Sequence, residues 1–238
     1  MNDAPPDIAL NPGARIALRH IGRERHPLLI IDDVLSDPDG LILMAAAAEW
    51  ARPLHTQYPG VNAPLPETYS QAMIRALRPM LRRGFGIPQN LPLNFFGFFA
   101  MATQDPADLK PIQKIPHHDS ADPFHIAMVH YLCRGQSGGT AFFRHSATGF
   151  ESVDHRREEA YGAMARAELD ATGDSLTHHV SAATPGYEQV DYAELRFNRL
   201  VVYRSHVLHS GLLDQSRLSD DPRTGRLTAN SFLDVRRP

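Results

Sequence analysis

The chain lacks most of what would place it outside the ordinary globular class. It holds one cysteine, Cys133, in 238 residues. That excludes an internal disulfide and a zinc site built on several thiolates; it fits a reducing compartment, so a cytoplasmic location is expected. Apolar runs are short, and none approaches the roughly 20 residues a membrane span requires. Met1–Leu18 carries proline and aspartate but no apolar core segment, so it does not read as a signal peptide. An excess of one charge is also missing. With 24 Lys and Arg against 27 Asp and Glu, the formal net charge is -3. That balance implies neither nucleic acid nor an anionic membrane as partner. Internal repeats and low-complexity segments are absent too.

What is present is enough chain for one large core and a surplus of histidine, 13 residues in all. One domain is expected over 1–238. Residues 1–90 read as an N-terminal strand with supporting helices, and 91–238 as a β-rich core carrying an insertion at 151–196. Pro27–Leu35 has the apolar run of a buried strand. Asp37-Pro38-Asp39 then supplies an N-cap, a proline for the first helical position and an acid for the positive first turn. A helix is predicted over 40–51, and a second over 68–84 with Met73, Leu77, Met80 and Leu81 as its packing face. Residues 58–66 read as loop. Beyond Leu91, strands are predicted over 93–103, 111–119, 124–133, 140–144, 199–208 and 226–235. A charged helix is predicted over 154–171 and a short one over 187–195. Helices first, then many short strands, argue for an α+β fold with a barrel or sandwich core.

The stretch around which the rest is organised is Ile115-Pro116-His117-His118-Asp119. In an extended strand, residues i and i+2 share a face. Gln113, Ile115, His117 and Asp119 would then line one side, and His117 Nε2 and an Asp119 oxygen could converge on one cation. His118 would point the other way. A second imidazole comes from Tyr203–Gly211, which holds His206 and His209. Alternation through Val201, Tyr203, Ser205 and Val207 puts His209 inward and His206 outward. Two imidazoles and one carboxylate suit Fe(II) and leave three coordination positions open.

The order of motifs adds to this. His117-x-Asp119 is followed by a strand ending Tyr131-Leu132, then Gly138-Gly139-Thr140-Ala141-Phe142, then a strand ending His209-Ser210-Gly211, then Arg226. Over roughly residues 90–235 this resembles the Fe(II)/2-oxoglutarate-dependent oxygenases, and within them the prolyl-hydroxylase-like branch. Ile30–Leu35 leading into a helix also looks like that branch. The resemblance implies a double-stranded β-helix (jelly-roll) core with the N-terminal helices packed on it. It implies Fe(II) held by His117, Asp119 and His209, with 2-oxoglutarate as cosubstrate. It places the cosubstrate's distal carboxylate on Arg226, whose planar fork suits a two-point contact. Arg217 and Arg223, nearer in sequence, fall in a polar loop and read as solvated charge.

Thr228 shares the face of Arg226 and could add a hydrogen bond. His130 stands where the branch often has a tyrosine touching 2-oxoglutarate; it reads equally as a cosubstrate contact or a satisfied core histidine. Gln113 could reach cosubstrate or substrate, and Tyr131 reads as packing. The charged helix and His178-His179 could cover the mouth of the barrel, as could Tyr58-Pro59-Gly60. Asp119 argues against halogenation, for which the superfamily replaces this carboxylate with a small residue. The expected reaction is hydroxylation of a C–H bond on an amino acid, a peptide or protein side chain, or a small metabolite. Two rival readings remain: a cupin-like metal protein without 2-oxoglutarate, and a non-catalytic binding module on the same barrel. The oligomeric state stays open, a homodimer included.

Overall fold

The computed structural model describes residues 8–54, 57–88, 90–135, 138–172, 175–213 and 218–235. A hairpin of β1 (Arg15–Ile21) and β2 (His26–Asp32) opens the chain, followed by α1 (Pro38–Ala47), β3 (Gly60–Pro64), α2 (Glu67–Phe85) and β4 (Leu93–Ala102). Then come β5 (His125–Tyr131), β6 (Thr140–His145), α3 (Glu158–Thr172), β7 (Tyr187–Ala193), β8 (Arg199–Arg204), β9 (His209–Gly211) and β10 (Leu227–Val235). These strands make two sheets, one of seven in the order β1-β2-β8-β5-β10-β4-β3 and one of three in the order β7-β6-β9. Every pairing within them is antiparallel.

Local chemistry explains the helix ends. The Asp37 carboxylate accepts the Gly40 N–H at 2.9 Å, so α1 starts where its cap stands. α2 stops at Gly86, which takes φ 65 and closes the last turn in the left-handed region. Tyr69, Met73, Leu77 and Leu81 recur at helical spacing along α2, and all are buried. With Leu41, Ile42 and Ala45 of α1 they belong to one apolar cluster, which also holds Leu29, Ile31, Met128 and Leu233 from the large sheet. Each large apolar side chain buried there contributes about 1.5–3 kcal/mol.

Strand alternation then decides what faces the other way. On β5, Ile126 and Met128 enter that cluster, while Ala127 and Val129 line a cavity. On β10, Leu227, Ala229, Leu233 and Val235 enter the cluster, while Asn230 and Phe232 line the cavity, as does Arg226 just before the strand.

Four predicted elements differ. Residues 60–64 form β3, not loop, because the edge of β4 offers a ladder from Ala102 to Phe98. Gly60 allows the approach: a Cβ there would collide with the Met101 carbonyl. Pro111–Lys114 is a turn of 3₁₀ helix, so the proposed strand over 111–119 reduces to a single bridge at His117. Residues 187–193 are β7, not helix, because β6 needs a partner along its outer edge. The predicted strand over 199–208 is broken: β8 belongs to the large sheet and β9 to the small one, with a turn at Ser205-His206 between them. No helix among the described residues is long and apolar enough to cross a membrane.

Candidate metal centre

His117 and His209 are held opposite each other by backbone alone. Each donates its N–H to the other's carbonyl, at 3.0 and 2.8 Å. Asp119 is fixed by its N–H on the Ser205 carbonyl at 2.9 Å. The same short pairing therefore positions all three side chains, though not through the extended alternation the sequence suggested. One ligand atom from each of His117, Asp119 and His209 lies within 4.8 Å of the other two. His117 Nε2 is 3.6 Å from Asp119 Oδ1, and His209 Nε2 is 3.3 Å from Asp119 Oδ2. The two imidazole centroids are 4.5 Å apart.

The protonation pattern follows from the hydrogen bonds. His209 Nδ1 lies 2.8 Å from the Val207 carbonyl, and a carbonyl only accepts, so Nδ1 carries the proton. The Nε2 lone pair then points at Asp119. Burial lowers the His117 pKa to about 4, with the neighbouring His209 acting in the same direction. Burial likewise holds His209 at about 4, against the Val207 bond, which raises it. Burial raises the Asp119 carboxyl. His117 has 53% of its side-chain area exposed, but that face opens into the cavity, where protein surrounds it. Two imidazoles whose burial disfavours the charged form thus converge with a carboxylate, and the Nε2 of His209 faces it as an acceptor. These three residue types at this spacing are a set that could hold a divalent metal.

The site lies in a cavity of about 800 Å³ whose lining includes all three residues, Arg226, Thr140, Tyr203 and Asn230. Arg226 is anchored by Nε and a terminal nitrogen to the Gly138 carbonyl, at 3.0 and 2.7 Å. Among the described residues no carboxylate pairs with it. Tyr131 lies beneath, its ring centroid 5.9 Å from the guanidinium carbon and its hydroxyl 2.7 Å from Thr140 Oγ1. Burial pushes the Tyr131 phenol up to about 12, against the pull of Arg226. Tyr203 packs its ring 4.7 Å from that of His209.

Several expectations need correction. His130 faces the opposite side of β5, in the apolar cluster under α2. Its Nδ1 is 3.2 Å from the Tyr69 hydroxyl and its Nε2 3.2 Å from Asn198 Oδ1, so both nitrogens are engaged away from the cavity. Tyr131, read as packing, is fully buried in the apolar cluster on the other face of β5, with the Arg226 guanidinium carbon 5.9 Å from its ring. Thr228 is fully buried, and its hydroxyl donates to the Ala100 carbonyl at a long 3.4 Å; it is not among the lining residues. Gln113 lines the cavity, but its amide is spent on Lys110 N–H at 2.8 Å and the Gln57 carbonyl at 3.0 Å. His206 is not outward in solvent: it is buried, 5.2 Å from the His26 ring. His118 turns to Tyr161 of α3, 5.9 Å away. Arg217 lies outside the described residues; Arg223 is exposed and pairs with Asp221 at 3.7 Å.

The segment after β6 forms one wall of the cavity. Glu158, Tyr161, Ala165 and Leu169 of α3 line it, with His179 and Val180 beyond, and Tyr58-Pro59 lines it from the other side. Sequence reasoning passed over Tyr203, Thr140 and Asn230. The available signal was register: each shares a strand face with a residue already singled out, or directly follows the Gly138-Gly139 turn.

The family model DUF6445 matches residues 12–233. The chain belongs to that family, described as one of unknown function. No curated protein matches it. Solved structures similar to it include HygX from Streptomyces hygroscopicus with nickel and 2-oxoglutarate bound, at 14% identity and a TM-score of 0.49, covering 90% of this chain and 87% of that one. HygX with nickel, 2-oxoglutarate and hygromycin B bound gives 12% identity, 90% and 88% coverage and the same TM-score of 0.49. An N-substituted L-amino acid dioxygenase from Burkholderia ambifaria AMMD gives 10% identity, 92% and 93% coverage and a TM-score of 0.40.

Proposed function

We propose that this DUF6445 member is an Fe(II)- and 2-oxoglutarate-dependent oxygenase that hydroxylates a C–H bond of a small molecule, an amino acid, or a peptide or protein side chain. The observation that supports it most is the pairing of two features in one cavity. Ligand atoms of His117, Asp119 and His209 converge within 4.8 Å of one another, and a guanidinium with no carboxylate partner among the described residues lines the same space. A metal site alone would leave Arg226 unexplained, which is why the cupin-like reading ranks lower. On this reading the two sheets are the halves of a double-stranded β-helix within one domain, and 151–196 is the insertion that walls its mouth. The lone Cys133 suits a reducing cytoplasm.

His117, Asp119 and His209 would hold the iron. Bound there with 2-oxoglutarate, it supplies O2 activation: one O2 is consumed, the cosubstrate leaves as succinate and carbon dioxide, and the substrate carbon gains a hydroxyl. The chain's own groups prepare the site. The Val207 carbonyl fixes the His209 tautomer and frees Nε2 as a ligand. Asp119 supplies one negative charge against a divalent cation. Arg226, held at Gly138 by two of its nitrogens, keeps donors for the distal carboxylate of the cosubstrate. Ala127, Val129 and Phe232 line the cavity with apolar surface, which excludes water and strengthens every charge contact inside.

Succinate release from 2-oxoglutarate tests this, measured with Fe(II) across a panel of amino acids, peptides and small metabolites. The wild type is expected to release succinate with at least one of them, and Arg226→Ala to need far more 2-oxoglutarate for the same rate. Turnover that proceeds equally without 2-oxoglutarate, or an Arg226→Ala variant with unchanged demand for it, contradicts the proposal.

A further inference from the structure

The stripe that α3 turns toward the cavity is Glu158, Tyr161, Gly162, Ala165, Arg166 and Leu169. The spacing is that of one helix face. A helix that merely covers a core fills such a stripe with apolar bulk. This one interrupts it three times, at Glu158, Gly162 and Arg166. Gly162 stands in the helix interior, where glycine is destabilising relative to alanine. It takes no left-handed conformation, and a Cβ built on it would meet nothing within 4 Å. Neither packing nor backbone geometry calls for glycine there. Its effect is to leave the space beside α3 open.

Arg166 follows one turn later, about 6 Å along the axis. Among the described residues nothing pairs with it. The other charge on the stripe, Glu158, is engaged: its carboxylate lies 3.0 Å from His155 Nδ1. The charge of the stripe that has no partner among the described residues is therefore that of Arg166, which is exposed at the rim of the cavity. His179 adds an uncharged polar group to the same cavity. It is 7% exposed, and its Nε2 has no partner among the described residues. The remaining lining is largely apolar, with Phe96, Phe98, Ile112 and Leu213 among it.

We propose that the α3 wall selects the primary substrate: Gly162 leaves room for an apolar skeleton, and Arg166 pairs with an anionic group, a carboxylate, at its end. This rests on the cavity being the active site of the proposed oxygenase and names the substrate class it admits. His179 Nε2, unpartnered in the same cavity, forms a hydrogen bond with a hydroxyl or amide of the same ligand. Neither Gly162 nor Arg166 is among the candidate metal ligands, so the two are assigned to which molecule is held.

Octanoate, octanol and octylamine share one skeleton and differ in the end group. Their binding is measured by calorimetry to the chain alone and to its Fe(II)–2-oxoglutarate complex without oxygen. Octanoate is expected to bind at least about tenfold tighter than the other two, the scale of one charge-assisted contact. Arg166→Ala should abolish that preference and Arg166→Lys should keep most of it. Gly162→Ala should raise the melting temperature by about 2–4 °C while weakening octanoate severalfold, and Gly162→Leu should block it. Equal binding of the three, binding of none, a preference that survives Arg166→Ala, or octanoate bound normally by Gly162→Leu overturns the inference. The visible band of the iron–cosubstrate complex reports separately on the oxygenase reading. If that band never forms while the chain alone prefers octanoate, the selection stands and the oxygenase reading falls.

Discussion

A single carbonyl sets the chemistry at the residue scale. The Val207 carbonyl accepts a hydrogen bond from His209 Nδ1, which leaves the Nε2 lone pair facing Asp119 for a cation. Arg226 carries the second half of the account. Arg226→Ala is expected to keep Fe(II) affinity within about twofold while losing most 2-oxoglutarate affinity, since a bidentate charged contact is worth about 2–3 kcal/mol; calorimetry with each ligand in turn checks it. His130 separates structure from chemistry. With Tyr69 and Asn198 on its two nitrogens, His130→Ala should cost about 1–3 kcal/mol of stability by leaving buried groups unpaired. Its 2-oxoglutarate affinity should be unchanged, and denaturant titration beside calorimetry shows both. The sequence disclosed the three metal candidates, because residue type and spacing narrow the choice to a few histidines. It did not disclose which face of β5 turns inward, because His130 and Tyr131 are both polar-tipped, both bury well, and differ by one register step.

Elements were legible where their own chemistry closes them. α1 starts at its Asp37 cap and α2 carries its buried stripe in plain view. Strands were legible where aromatic residues run without helix signals, as on β4, or where apolar residues alternate, as on β5. Misread segments take their form from a partner far along the chain. β3 exists because β4 has an open edge, β7 because β6 does, and the break between β8 and β9 because the chain must leave one sheet for the other. Proline at 111 favoured a turn over the predicted strand, since the missing N–H cannot feed a ladder. Gly60 gives a direct check on the β3 ladder. Gly60→Ala must push β3 off the Met101 carbonyl, so a loss of about 1–3 kcal/mol is expected, read as a lower denaturant midpoint with the slope unchanged.

Across the whole molecule, ion pairs tie the N-terminal hairpin to the small sheet and the segment before α3. Glu151 accepts the backbone N–H groups of Arg23 and Glu24, at 3.0 and 2.9 Å, and pairs with Arg144. Glu24 in turn pairs with Arg157 at 2.6 Å and accepts the Ser152 hydroxyl. Burial raises the Glu24 pKa, but bonds from His26, Ser152 and Arg157 together outweigh it and bring the group to about 2, below its unfolded value of 4.5. The unfolded chain therefore takes up this proton first as the solution is acidified. The contribution of Glu24 to stability is full above pH 4.5 and is lost as pH falls toward 2. Melting temperatures taken from pH 7 downward should decline over that window, and Glu24→Gln should flatten the acid limb. This network lies outside the cavity lining, so the variant's metal affinity should not change.

The most direct test of the central claim is an anaerobic titration of the chain with Fe(II) and then 2-oxoglutarate, followed by visible absorption. A weak metal-to-ligand charge-transfer band should grow to one equivalent of cosubstrate, be absent in His209→Ala and Asp119→Ala, and need far more 2-oxoglutarate in Arg226→Ala. No band in the wild type at saturating Fe(II) and 2-oxoglutarate, or an undiminished band in His209→Ala, would contradict it.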